Sequence, residues 1–233
     1  MKTVLFSSIH LRDQSHADSL TGELADWEAR AYTAFDHNPD VFLVDRGNKT
    51  CQCPIDCEII YAGIPDSKPY HAKDWSYGVA AFHAGLHYAM QRPFDVLVHL
   101  FTDAILGIHL ESICQEFMDR PEIMAGPVWK GGPDTHLLVM KRQAVIDILY
   151  SIPFTPLCKT GANSLYYEDA LALIFAGKYW NPWPACSTVR QEINTPEIYK
   201  GTDEEIIKLW PLLTKASPEI MAAYRQAHPM PLT

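Results

Sequence analysis

The stretch Phe94-Asp-Val-Leu-Val-His-Leu-Phe-Thr-Asp-Ala-Ile-Leu-Gly107 decides how this chain is read. Val96 to Leu100 is an apolar run broken only by His99, of the length and composition of a strand buried on both faces. The run leads to one carboxylate, Asp103, followed by a helix-like segment. In an open α/β sheet, ligands bind beyond the carboxyl ends of such strands. A carboxylate buried there is costly unless it is paired or holds a metal or a phosphate-bearing ligand. Asp103 is therefore the first candidate functional residue.

Outward from this strand, helices and strands alternate. Thr3–Ser8 is β-branched and aromatic, a first strand, and residues 8–21 are polar and loop-like. Thr21 is placed to cap a helix running to about Phe35, with Leu24, Trp27, Ala31 and Ala34 on one face, ended by Asn38-Pro39. Val41–Val44 is a second buried strand and Glu58–Ala62 a third. Val79, Phe82, Gly85, Leu86 and Met90 put a helix over Lys73–Gln91. Its small residues Gly78, Ala80, Ala81, Ala84 and Gly85 let it lie close on a sheet. Helices follow over Ile108–Met118, Arg142–Tyr150 and Tyr167–Ala176, the last ended by Gly177, with a strand over Thr135–Met140. Two amphipathic pieces, Asp203–Leu213 and Pro218–Ala227, make a helical tail. The order predicts an α/β fold: a mainly parallel, doubly wound sheet flanked by helices, with a helical C-terminal tail. It divides the chain into residues 1–200 and an extension over 201–233.

Composition narrows the partners. With 48% apolar residues in 233, the chain can bury a sizeable core. Its 19 basic and 28 acidic side chains give a formal charge of −9, and no Lys/Arg block appears. A groove that tracks phosphates needs clustered cations, so nucleic acid is not the expected partner. No apolar run approaches the ~20 residues of a membrane-spanning helix. The N-terminus has too short an apolar core for a signal peptide. A cytoplasmic protein with reduced cysteines is expected. Cys51, Cys53 and Cys57 are spaced C-x-C-x3-C, unlike the C-x2-C hooks of common zinc modules. A zinc or disulfide role and a plain small-residue loop both stand at this point. Cys114, Cys158 and Cys186 are expected to be inert.

Three strand ends carry acids or hydroxyls: Ser7/Ser8, Asp45 and Asp103. Turn chemistry explains any one of them alone. In a parallel sheet all three converge on one edge and outline a nucleotide-sized cleft. The first strand is followed by Ser-Ser-Ile-His-Leu-Arg, with neither a G-x-G-x-x-G nor a G-x4-G-K-[ST] loop. That argues against a Rossmann dehydrogenase and a P-loop NTPase. Phosphates would then be neutralised by a metal or by side-chain cations, for which Lys73, Arg142 and Arg190 are candidates. Tyr167-Glu168-Asp169 opens a helix. The helix dipole favours acids in a first turn, and two adjacent carboxylates can also divide a structural and a general-base role. Trp129 is read on its own as a core or surface tryptophan. His99 is expected to be a hydrogen-bonded core residue. Trp180 and Trp183 are expected to pack a rigid loop.

In order and spacing over roughly residues 1–190, the chain resembles GT-A fold glycosyltransferases, in particular the family-2-like group that uses nucleotide-diphosphate sugars. Val4–Ser8 and its polar loop look like their first strand and nucleotide loop. Val41-Phe-Leu-Val-Asp-Arg-Gly-Asn48 looks like their second strand, and Tyr77-Gly-Val-Ala-Ala-Phe-His-Ala-Gly-Leu86 like their G-x-x-x-A-x-N-x-G-L helix. Tyr167-Glu168-Asp169 looks like their E-D motif. The resemblance implies a nucleotide-sugar donor held by Ser8, Asp45, Lys73 and Asp103, and a hydroxyl acceptor near Trp129. It implies Mn²⁺ or Mg²⁺ on Asp103, and Asp169, with Glu168 as second choice, as the base of an inverting displacement. The chain departs from the pattern where D-x-D becomes Phe101-Thr102-Asp103 and where the helix asparagine becomes His83. The first change motivates an alternative, a non-catalytic GT-A-like protein that binds nucleotide or glycan. A metal-organised protein built on the cysteines and a nucleotidyltransferase are further alternatives.

Overall fold

Every residue of β1 (Thr3–Ile9) is buried, as a strand covered on both faces requires. Successive side chains alternate, so Val4 and Phe6 enter one apolar layer while Leu5 and Ile9 enter the other. We analysed a computed structural model. It describes residues 1–47, 51–63, 76–102, 104–106, 110–129, 132–151, 167–182, 189–190 and 212–214, with backbone alone at 76–78, 105–106, 129, 189–190 and 212–214.

After β1 come α1 (Gln14–Ser19), α2 (Thr21–Thr33), β2 (Asp40–Asp45), β3 (Glu58–Tyr61), α3 (Ser76–Ala89), β4 (Val96–Leu100), β5 (Ala104–Leu106) and α4 (Leu110–Met118). The second half holds β6 (Met124–Ala125), β7 (Val128–Trp129), β8 (Gly132–Pro133), β9 (Leu137–Lys141), α5 (Arg142–Ser151), α6 (Tyr167–Ile174) and β10 (Tyr179–Trp180). Last come β11 (Val189–Arg190) and β12 (Leu212–Thr214). The main sheet has seven strands in the order β10-β6-β9-β4-β1-β2-β3. β4, β1, β2 and β3 pair in parallel, and β9 runs antiparallel to both β4 and β6. The expected mainly parallel α/β sheet flanked by helices is the architecture.

Two faces cover the sheet. On one, α2 buries Leu24, Trp27 and Ala31, and the Trp27 indole donates to the Leu100 carbonyl at 2.9 Å. On the other lies α3, where a Cβ on Gly85 would stand 2.3 Å from Phe6 Cε2. Gly85 thus lets the helix settle on β1, as its small residues predicted. Gly177, at φ +73°, ends the turn after α6 in the left-handed region that glycine favours.

The structure corrects three local readings. Residues 14–19, read as loop, form α1, because the Asp13 carboxylate caps the His16 N–H at 2.8 Å where no apolar stripe marks a helix. Thr21 does not cap α2; its hydroxyl donates to the Asp18 carbonyl at 2.8 Å. The segment after Asp103 starts as the strand β5, which pairs antiparallel with β12. Leu212 and Leu213, the end of the helix expected over 203–213, therefore lie in a strand. The rest of that helix and the one over 218–227 lie outside the described residues. Among the described residues, no helix is long and apolar enough to cross a membrane.

Candidate functional site

The parallel ladder Phe6↔His99, Ser8↔Val44 and Ile9↔Asp45 brings the ends of β1, β2 and β4 to one edge of the sheet. Because β9 is antiparallel to β4, its entry, residues 134–136, arrives at the same edge. α6 closes the group: a Cβ on Gly132 would lie 3.1 Å from the Glu168 carbonyl oxygen, so the helix start rests directly on β8.

A chain of hydrogen bonds crosses this edge. Ser8 Oγ lies 3.3 Å from His99 Nε2, and His99 Nδ1 lies 2.9 Å from the Thr135 carbonyl. A carbonyl can only accept, so Nδ1 carries the proton. Burial drives the His99 pKa down to about 3, outweighing the Thr135 carbonyl, so the ring is neutral. Its Nε2 must then accept from the Ser8 hydroxyl. The Thr135 hydroxyl in turn donates to Glu168 Oε1 at 3.1 Å. Ser8 and Glu168, predicted separately from sequence, stand at the two ends of one polar chain. The expectation of a hydrogen-bonded core histidine at His99 holds, and its two partners come from elements 91 and 36 residues away.

Beside the chain lies Phe101, two residues before Asp103. Its ring sits 4.9 Å from the His99 ring and 4.8 Å from the His136 ring, centroid to centroid. His136 is itself fixed: Asp134 Oδ1 accepts from its backbone N–H at 3.0 Å and from Nδ1 at 2.7 Å, and Asp134 is fully buried. His83, on α3, contacts the Tyr167 hydroxyl at 3.2 Å. Burial lowers its pKa to about 4. Sequence reasoning missed Thr135, Asp134 and His136, which carry no motif and are brought in only by the reversal of β9.

Asp45 is fully buried and acts as a loop clamp. Its two oxygens accept from the Leu11 N–H at 2.8 Å and the Gly47 N–H at 3.1 Å, tying the turn after β2 to the one after β1. Ser7 points to the opposite face from Ser8, and its hydroxyl is buried with no hydrogen-bond partner among the described residues. Asp169 is exposed in the first turn of α6, whereas Glu168 beside it is buried. Trp129 stands in register opposite Gly132, the residue on which Glu168 rests. Asp103 and Lys73 lie outside the described residues. The flanks of Asp103 are held in place, since buried Arg30 on α2 donates to the Thr102 carbonyl at 2.6 Å.

Of the suggested cations, Arg142 is at the wrong end of the sheet. Its guanidinium donates to the carbonyls of Met90 and Arg92 at 3.0 and 3.2 Å, beside the start of β4. Lys141↔Val96 pairing explains this, because the end of β9 meets the start of β4. Arg46, at the end of β2, is a cation on the correct edge; its Nε donates to His10 Nδ1 at 2.7 Å. Arg190 is in β11.

No group of three or more His, Cys, Asp or Glu among the described residues could hold a metal ion. Cys51, Cys53 and Cys57 form no disulfide. Burial, with Glu28 and Cys53 adding to it, pushes the Cys57 thiol up to about 12. The described donors thus do not fit a zinc centre at the cysteines, nor a multi-ligand centre at the strand edge. Cys114 is likewise pushed to about 12 by burial, as an inert core thiol should be.

The fold is that of GT-A-type glycosyltransferases. The apo form of the glycosyltransferase GlyE from Streptococcus pneumoniae TIGR4 superposes over 94% of this chain and 55% of its own, with a TM-score of 0.52 at 10% identity. The apo bifunctional glycosyltransferase WbbM superposes over 94% of this chain and 46% of its own, with a TM-score of 0.51 at 12% identity. The chain thus spans about half the length of each, at 55% and 46%. No family model matches the sequence, and no curated protein does either.

Proposed function

We propose that this chain is a nucleotide-sugar-dependent glycosyltransferase that transfers a sugar to a hydroxyl acceptor with inversion. The observation that carries this reading is the hydrogen-bonded line from Ser8 through His99 and Thr135 to Glu168, at the carboxyl edge of a GT-A-type sheet. The donor nucleotide would lie over Ser8 and the turn that Asp45 clamps, with Lys73 and Asp103 toward the diphosphate. The acceptor would enter beside Trp129 and the start of α6. The acceptor oxygen attacks the anomeric carbon as the bond to the diphosphate oxygen breaks, and the acceptor proton passes to a carboxylate. Asp169 is assigned that role because it is exposed, whereas Glu168 is buried.

A bound Mn²⁺ or Mg²⁺ would have Asp103 as its protein ligand, with substrate phosphates and water completing the shell. The division into residues 1–200 and 201–233 belongs to the same proposal, with β12 joining the larger part through β5.

Purified protein should be titrated with UDP-, GDP- and TDP-sugars, with Mn²⁺ and with EDTA, following thermal stability and release of nucleoside diphosphate. Stabilisation by at least one donor together with its turnover is the expected result. Stabilisation without turnover at any metal concentration would favour the non-catalytic binding protein, which Phe101 motivates. No stabilisation by any donor would remove the transferase reading.

A further inference from the structure

His99 has no part in the proposed reaction, yet both of its ring nitrogens are hydrogen-bonded at the carboxyl edge of the sheet. His99 sits in a strand whose other members, Val96, Leu97, Val98 and Leu100, are all fully buried. Packing alone would be met there by an apolar ring, since His99 already contacts the rings of Phe6, Phe82 and Phe101 at 4.8–4.9 Å. An imidazole instead bears the cost of desolvating two nitrogens, which only hydrogen bonds offset.

Each of those bonds has a direction. Ser8 donates to Nε2, Nδ1 donates to the Thr135 carbonyl, and the Thr135 hydroxyl donates to Glu168. The Ser8 hydroxyl has one proton, and His99 takes it. What Ser8 presents to the cleft is then lone pairs alone. It can receive an N–H of a base or a ribose hydroxyl; it cannot donate to a phosphate oxygen. At the far end, the Thr135 backbone is held so that its hydroxyl stays on Glu168 Oε1, which fixes that carboxylate at the start of α6.

We propose that His99 is a positioning residue that makes Ser8 an acceptor toward a donor group of the nucleoside and, through Thr135, sets the start of α6 on the acceptor side. The proposal rests on the glycosyltransferase reading.

Three variants separate the two arms. His99→Phe keeps the ring packing and loses both hydrogen bonds. His99→Gln can place an oxygen near Nε2 and keep the Ser8 contact. His99→Asn can place an amide near Nδ1 and keep the Thr135 contact. Hydrolysis of UDP-glucose, GDP-mannose and TDP-glucose with Mn²⁺ gives donor KM and kcat for each protein. His99→Phe should raise KM and lower kcat, each by about tenfold, the scale of one lost hydrogen bond. His99→Gln should recover KM and leave kcat low, and His99→Asn the reverse. If His99 substitutions fail to fold, Ser8→Ala and Thr135→Val probe the ends, with effects expected on KM and on kcat respectively. An active His99→Phe with unchanged constants, or a parallel fall in both constants that tracks Tm in all variants, overturns the proposal and leaves the transferase reading standing. A wild-type protein inert to all three donors overturns both.

Discussion

Replacing Gly85 by alanine tests how the site is built from beneath. The added Cβ would stand 2.3 and 2.6 Å from Phe6 Cε2 and Cδ2, against a carbon–carbon contact distance of about 3.5–4.0 Å. More than about 1 Å of relief is needed. Phe6 cannot swing away easily, because its ring is stacked on Phe42 at 5.3 Å and packed on His99 at 4.8 Å. The helix must lift, or Phe6 must leave its rotamer. Overpacking of this kind costs about 1–3 kcal/mol, against which alanine returns up to about 1 kcal/mol of helix propensity. A net loss of about 1–2 kcal/mol should lower Tm by about 2–8 °C in a chain of this size. Differential scanning calorimetry and urea denaturation read this directly. Phe6→Leu should relieve the clash, so the double variant should lose less stability than the sum of the single variants. Gly22→Ala is the control, since a Cβ there meets nothing within 4 Å and should stabilise by a few tenths to about 1 kcal/mol. A Gly85→Ala protein with unchanged or raised Tm would refute the close approach of α3 to β1.

Asp45→Ala should destabilise by about 1–3 kcal/mol, because it strands two buried N–H donors, and should weaken nucleotide binding at the loops it clamps; urea unfolding and isothermal titration would show both. Acid should destabilise the protein through His99 and His83, whose burial lowers their pKa from 6.5 to about 3 and about 4. The unfolded state binds these protons first, so stability falls as pH drops below about 6.5, by up to about 1.4 kcal/mol per pH unit for each ring. It levels off below the folded values, and His99→Phe should reduce the slope by one proton between pH 6 and 4. Cys57 should react slowly with iodoacetamide at pH 8, since its thiol is pushed to about 12; labelling as fast as a free thiol peptide would count against the protonated state of this half-buried thiol.

The sheet core was legible because its strands are buried on both faces: Thr3 to Ser8 is β-branched and aromatic, and Val41 to Val44 and Val96 to Leu100 read as apolar runs. The same holds for α2, whose Leu24, Trp27 and Ala31 recur at helical spacing and are all buried. α1 escaped notice because an Asp13 cap and one buried residue, Ala17, hold a six-residue helix without an apolar stripe. The two-residue strands β6, β7, β8 and β10 are too short for any period to show. In the site, Ser8 and Glu168 could be picked from motif order. Their connection could not, because it runs through partners 91, 36 and 33 positions apart. Asp45 was singled out for a ligand, and the structure gives it two backbone N–H groups to hold.

The reversal of β9 has a structural corollary. A parallel strand can reach the cleft only with its exit, and a change there disturbs the crossover that follows. β9 reaches it with its entry, fed by the short hairpin of β7 and β8. Residues 132–136 therefore carry the contacts to α6 and His99, through Gly132 and Thr135, while the ladder from Leu137 to Lys141 holds its register on β4 separately. In a scaffold whose strands are covered on both faces, a substitution at that entry is felt first at the sheet edge and at α6, not in the pairing of the strands.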